Sequence, residues 1–397
     1  MSANDRPYKL AMLFSHPIQN HVPVFRELSA RDDVDLTVYY GCDYGVTEQR
    51  DPEFGIVFKW DVPMLDGYEH EFLPNWSTRP GPTFFGEINP SIMSELVKQD
   101  FDAIFIVGYS VLTCWFAFVA AWFTRTPIVL RGVSHILDER PLHVRIIKRL
   151  VLGPLFATAA RCLYIGNHNK AYYQEYGVSE RKLMHAPHVV GDAFFRDHRE
   201  KLMPRRDAIR REFGIDDDAP VVLFPGKLID CKDPLLLLEA FRRVRERHPC
   251  HLLYAGDGAL RGEMERRIRD QSIPDVVLAG FLNQSEMPKA YLAADLMALP
   301  SKATETWGLV VNEGMNFGLP VIVSDRVGCG TDLVRPGENG YITDSLESLT
   351  AAVESLVSDS EQRARYGRRS DEIIAGWGVP DCADGIIAAV RSVARRS

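Results

Sequence analysis

The chain has 397 residues, 46% hydrophobic and 25% charged, with a formal net charge of -8. That supplies apolar sequence for two ordinary cores and excludes wholesale disorder. The acidic balance argues against a partner held by a general cationic field, so no nucleic acid is expected.

Seven cysteines lie far apart with no Cys-x-x-Cys pair, which points to neither a disulfide framework nor a zinc site. The opening Met-Ser-Ala-Asn-Asp-Arg lacks the charged start and apolar core of an export signal, and no apolar run reaches bilayer length. A cytoplasmic location is therefore expected.

In chain order, strands are predicted at Lys9–Phe14, Val34–Tyr40, Ala103–Val107, Ile128–Arg131 and Arg161–Ile165. Helices are predicted between them at Val22–Ala30, Pro90–Gln99 and Pro141–Ala160, with a Pro- and Gly-rich loop from Leu73 to Pro90. The apolar stretch from Val111 to Phe123 is too short to span a bilayer and is read as a buried helix. The charged segment Arg196–Pro220 reads as an interdomain crossing with a short helix.

A second run follows, with strands at Val221–Phe224, Leu252–Ala255, Val276–Ala279, Leu296–Leu299 and Val321–Ser324. Alternation of strand and helix predicts an α/β fold of two doubly wound, Rossmann-like domains. Such domains place ligands in a cleft at the carboxyl ends of their strands. The expected domains are 1–200 and 201–379, with an amphipathic helix at 380–397 returning to the first.

Glu305 and Glu313 flank the most informative stretch, Lys302-Ala-Thr-Glu305-Thr-Trp-Gly308-Leu-Val-Val-Asn-Glu313. It reads as a loop entering a helix whose first amides can hold an anion, with Gly318 stopping the helix before a buried strand. Carboxylates accept hydrogen bonds from vicinal hydroxyls, while amides and cations suit a phosphate. Lys227 and Lys232 supply two cations in the loop after Val221–Phe224, and Pro234 begins the next helix. The loop lacks the Gly-Lys-Ser/Thr ending of a Walker motif, so magnesium-dependent NTP hydrolysis is not expected. Gly256-Asp-Gly258 spaces its last glycine wrongly for a dinucleotide fingerprint.

Together these residues resemble the C-terminal half of retaining family 4 glycosyltransferases of the GT-B fold. The likeness runs in one order between residues 226 and 340: Gly226-Lys227-Leu, Lys232-Asp, Gly256-Asp-Gly258, Gly280-Phe281, Ala294-Asp295, Pro300-Ser301, Glu305-x7-Glu313 and Gly318-Leu-Pro320. The resemblance implies that Glu305 contacts the donor hexose and that Glu313 takes the ribose hydroxyls. It implies that Lys227, Lys232 and the backbone near Gly226, Gly308, Leu309 and Val310 hold the diphosphate, with Phe281 near the base.

In the first half, Ser15-His16-Pro-Ile-Gln19-Asn-His21, Leu130-Arg131-Gly-Val-Ser-His135 and Tyr164-Ile-Gly-Asn-His168-Asn169 are similar to a surface-polysaccharide subgroup. Gln19 and Arg131 are assigned to the acceptor side on that likeness. His16 and His135 each follow a strand end expected to face the ligand, which makes them candidates for acceptor contact or leaving-group stabilisation.

The resulting expectation is hexose transfer from a nucleotide-diphosphate sugar to a hydroxyl of a glycan or glycolipid, with no cofactor and no essential metal. No second carboxylate stands at a spacing that defines a nucleophile, so front-face displacement is expected. An epimerase or hydrolase of nucleotide sugars on the same fold, and a non-catalytic sugar binder, are the alternatives. The basic and apolar segment His143–Leu152 also raises peripheral contact with the inner membrane surface, against the plainer reading of a packed helix.

Overall fold

The computed structural model describes residues 6–46, 49–50, 57–58, 60–81, 83–138 and 141–394. Its described residues divide into two compact units: those up to 49, 63–189 and from 379 onward form one, and those of 50–62 and 190–378 the other.

The N-terminal unit carries β1 (Tyr8–Phe14), α1 (Val22–Ser29) and β2 (Val34–Tyr40). A short ladder of β3 (Gln49–Arg50) and β4 (Val57–Phe58) stands apart from the main sheets. Next come β5 (Glu69–Phe72), α2 (Ser91–Lys98), β6 (Ala103–Val107), α3 (Leu112–Thr124), β7 (Ile128–Arg131) and α4 (Leu142–Thr158). The unit continues through β8 (Arg161–Tyr164), α5 (Asn167–Glu175) and β9 (Leu183–His185). Its sheet is parallel, in the order β5-β2-β1-β6-β7-β8-β9. Strands such as β1 and β6 are apolar on both faces because helices cover both sides.

The other unit holds α6 (Asp192–Leu202), α7 (Arg206–Glu212), β10 (Val221–Pro225), α8 (Pro234–Arg245), β11 (His251–Ala255), α9 (Arg261–Asp270) and β12 (Val276–Gly280). It continues with α10 (Met287–Ala293), β13 (Leu296–Leu299), α11 (Leu309–Asn316), β14 (Val321–Ser324), α12 (Gly330–Leu333) and β15 (Gly340–Thr343). The helices α13 (Leu346–Ser358) and α14 (Ser360–Ile374) complete it. Its sheet is also parallel, in the order β12-β11-β10-β13-β14-β15.

Both sheets reverse strand order beside their first strand, between β1 and β6 in one and between β10 and β13 in the other. In doubly wound sheets that reversal opens a crevice outside the carboxyl ends. The loops after β1, β10 and β13 therefore take the ligand-facing positions of their own units.

Three details depart from the sequence expectations. The chain passes between units at 189–190 rather than at 200, because α6 buries Phe195 against Tyr291 and Phe317 of the later unit. The last helix, α15 (Val379–Arg391), packs in the first unit, where the sequence reading also put it, with Arg31 on Asp384 and Arg391 on Asp33. Residues 395–397 of the expected terminal helix lie outside the described residues.

Further, α3 is not wholly buried: Val119, Trp122 and Phe123 are exposed, the last two by 71% and 69%. Finally, Ser360–Arg391 is long and apolar enough by composition to cross a membrane, although no uninterrupted apolar run suggests it. Its apolar side chains, including Ile374, Ile386 and Ile387, are core residues, which is why they are apolar.

Candidate active site

The phosphate-side loop begins where β10 ends. Gly226 adopts φ +147°, and a Cβ at Gly256 would come within 1.8 Å of its carbonyl oxygen, so both positions depend on the missing side chain. Lys227 follows, half-buried. A short 3₁₀ turn, Asp230–Lys232, then leads to Asp233, a left-handed N-cap whose carboxylate accepts from the Leu236 amide at 3.3 Å. Pro234 starts α8 as expected.

The loop after β13 is tied directly to this turn. The Lys302 and Ala303 amides donate to the Cys231 carbonyl at 3.0 and 3.3 Å. Glu305 is fixed by its backbone, with its amide donating to Arg326 and its carbonyl accepting from Gly328, both at 2.9 Å. One oxygen of its carboxylate pairs with the Lys232 ammonium and the other accepts from Ser301 Oγ at 2.9 Å.

This arrangement adds a contact to the division of labour drawn from the motif. Lys232 does not stand by as an unengaged phosphate cation; it already holds Glu305. Both side chains are mostly shielded, at 23% and 15% exposure, so the pair is stronger than a solvated surface bridge. A phosphate group arriving here meets an ammonium whose position a carboxylate has set.

Gly308 takes φ +93° and caps α11, whose N-terminus no described side chain satisfies. A Cβ at Gly308 would press within 2.9 Å of Val327, so packing adds to the backbone demand for glycine. The leading amides, Leu309 and Val310, therefore lack a side-chain acceptor at the helix end that favours anions. Glu313 projects one turn on and accepts from Tyr291 Oη at 2.6 Å. Burial raises the Glu313 carboxyl to about 7, the Tyr291 hydrogen bond acting in the opposite sense. Phe281 follows β12, after the left-handed Gly280 at φ +79°.

In the N-terminal unit, His16 follows β1 with its Nδ1 hydrogen-bonded to Ser15 Oγ at 2.8 Å. Burial lowers its pKa. Gln19 lies half-buried in the turn before α1. His135 lines a hollow of about 390 Å³ with Asp138, Arg145, Tyr172 and Glu175. The separate segments of the resemblance meet around it. The Asn169 amide donates to the Ser134 carbonyl at 2.6 Å, and Tyr173 Oη accepts from the Gly132 amide at 2.6 Å.

Arg131 departs from its acceptor-side assignment. It is 2% exposed and donates to the Pro187 carbonyl at 2.9 Å and to Cys382 Sγ at 3.2 Å, joining β7 to α15. Its guanidinium also depresses buried His21 and His188, in both of which burial is the larger cause; His21 falls to about 3. Arg131 is a framework residue because its strand position points into the unit's core.

Sequence reasoning missed Tyr291 and Glu87, and it noted Ser301 in a motif without giving it a role. The roles of Tyr291 and Ser301 show only through the carboxylates they contact. Glu87 is fully buried at the end of the Pro/Gly-rich loop, near His16 and Cys42, and burial raises its carboxyl to about 7.

Residues 205–372, within the C-terminal unit, match the family model for glycosyl transferases group 1. Among curated relatives, an alpha-D-kanosaminyltransferase of Streptomyces kanamyceticus is 30% identical over 170 residues, 42% of this chain and 43% of that protein. The chain spans about half the length of the curated relatives it matches. Over the whole fold, a glycosyltransferase from Rickettsia africae superposes with a TM-score of 0.75 at 15% identity, covering 98% of each chain. Anabaena HepE in complex with UDP gives 0.69 at 17%, covering 97% of this chain and all of the other. The fold is that of GT-B glycosyltransferases.

Proposed function

We propose that the protein is a retaining hexosyltransferase that moves a sugar from a nucleotide diphosphate to a hydroxyl acceptor. The observation that carries this reading is the Lys232–Glu305–Ser301 cluster at the carboxyl ends of β10 and β13, in the same unit as the uncapped start of α11. Cleavage of an anomeric bond leaves charge on a diphosphate. A fixed ammonium and uncompensated helix amides stabilise that charge without reorganising. The UDP bound by HepE, a neighbour of the same fold, supports a nucleoside diphosphate as the leaving group.

In this reading Glu305 serves two groups. It orients Lys232, and it presents a carboxylate oxygen to the donor hydroxyls. Glu313 accepts from the ribose hydroxyls, and Lys227 adds charge on the diphosphate. His16 and His135, both half-buried, contact the acceptor. The acceptor hydroxyl attacks from the face the leaving group vacates, with a donor phosphate oxygen taking its proton. Turnover needs no metal or cofactor, and the setting is cytoplasmic, in synthesis of a surface glycan or glycolipid.

The exposed face of α4 supports contact with the inner membrane surface. Leu142, Ile146, Ile147, Leu150 and Val151 are each more than half exposed on it, and Arg149 flanks them.

The test is a thermal-shift panel of UDP-, GDP- and ADP-sugars followed by turnover with and without acceptor. A stabilising donor whose consumption depends on acceptor is expected. Donor consumption at the same rate without acceptor would replace transfer with hydrolysis or epimerisation.

A further inference from the structure

The proposed transfer gives no role to Cys42 or Glu87, which cluster with His16 in the N-terminal unit. Ligand atoms of His16, Cys42 and Glu87 all lie within 4.8 Å of one another. They come from the loops after β1 and β2 and from the end of the segment leading to α2. Spacings of 26 and 45 residues hide them from any motif search.

The cluster is held from behind. The Gly41 and Cys42 amides donate to the Phe14 and Ser15 carbonyls at 3.0 and 2.8 Å, which fixes the two loops side by side. Fully buried Asn89 donates to the Gly41 carbonyl at 3.0 Å, while Thr113 Oγ1 donates to the Glu87 carbonyl at 3.0 Å. Ser15 Oγ occupies His16 Nδ1, which leaves Nε2 as the ligating nitrogen.

Two features show that Glu87 is aimed rather than merely stored. It is 0% exposed, and its Oε2 has no hydrogen-bond partner among the described residues. A Cβ at Gly41 would lie 2.3 Å from that same oxygen, so the glycine keeps space for it. Its other oxygen meets Cys42 Sγ at 3.9 Å. A buried carboxylate oxygen without a donor is costly, and a cation supplies what the protein does not.

We propose that His16, Cys42 and Glu87 form a binding site for a borderline divalent transition metal of the zinc class. One imidazole, one thiolate and one carboxylate suit such an ion, and ligand atoms around four-coordinate zinc stand roughly 3–4 Å apart. Binding transfers the thiol proton, and the carboxyl proton where present, to solvent; the ion's two charges are then balanced by thiolate and carboxylate. Three protein ligands leave a fourth position for water or a hydroxyl. The site takes up His16, so metal occupancy competes with any acceptor contact by that side chain. It is independent of the donor-side assignments, and its test reads binding rather than turnover.

The experiment uses the full chain with exposed Cys231 replaced (Cys231→Ser), to remove an adventitious thiolate. Titration with Co2+ is followed by thiolate-to-cobalt charge-transfer absorbance, with Zn2+ as competitor. One Co2+ per chain is expected, with the band abolished by Cys42→Ser. Affinity should fall by about 10-fold or more in Glu87→Gln and in His16→Asn. X-ray absorption at the zinc edge of the same parent protein should show a single sulfur scatterer among nitrogen and oxygen, a readout that needs no ligand variant to fold. A parent without the charge-transfer band, an unchanged Cys42→Ser titration, or a zinc shell without sulfur would overturn the site.

Discussion

The carboxyl ends of the two sheets handle charge in opposite ways. In the C-terminal unit, Lys232, Glu305 and Ser301 engage one another, so an ion pair is held in place by its own partners. In the N-terminal unit, burial lowers the pKa of His16, His21 and His188 and raises that of Glu87, so the groups there are driven toward neutrality. The first arrangement suits a diphosphate, whose charge must be met by charge. The second suits hydroxyls, which a neutral imidazole can orient by hydrogen bonding.

The largest test of this contrast is Glu305→Gln. Transfer should fall by about 10²–10³-fold, while nucleotide affinity, read by calorimetry, holds or tightens because Lys232 loses its competing carboxylate. A parallel loss of nucleotide binding would remove the donor-hydroxyl role. Next in size, Lys232→Ala should weaken nucleoside diphosphate binding by about 10-fold or more, with nucleoside monophosphate less affected.

A smaller effect concerns Glu313. Its folded carboxyl is raised to about 7 from an ordinary value of 4.5. The folded state therefore holds a proton that the unfolded state releases, and this contribution to stability is lost as pH rises from about 4.5 through 7. Glu313→Gln should flatten that decline in a chemical-denaturation series. Ribose recognition should strengthen over the same interval as the carboxylate forms, so nucleotide affinity rises with pH in the parent and stays level in the variant.

The smallest structural effect is expected at the exposed apolar face. Leu150 is 71% exposed, so Leu150→Glu should change stability by about 0.5 kcal/mol or less. Sedimentation with anionic vesicles should nevertheless fall sharply in that variant. Equal sedimentation of parent and variant would end the membrane reading of α4.

Much of this was legible in advance for identifiable reasons. Buried parallel strands read as apolar runs, so Val34–Tyr40, Ala103–Val107, Ile128–Arg131, Leu296–Leu299 and Val321–Ser324 appear where predicted. Among the strands not anticipated, Glu69–Phe72 is largely exposed at a sheet edge and Leu183–His185 has three residues. Neither offers a period to detect.

By itself, the sequence determined the α/β alternation, the helix stop at left-handed Gly318, the helix that carries Glu313 and the order of motifs along residues 226–340. These are local properties, set by backbone sterics, burial period and helix ends. Only the tertiary structure decided that Lys232 grips Glu305, that Arg131 is a strut, and that His16, Cys42 and Glu87 converge. Side chains far apart in the chain acquire their partners when parallel strands bring successive loops to one end of a sheet, and no spacing rule encodes which loops become neighbours.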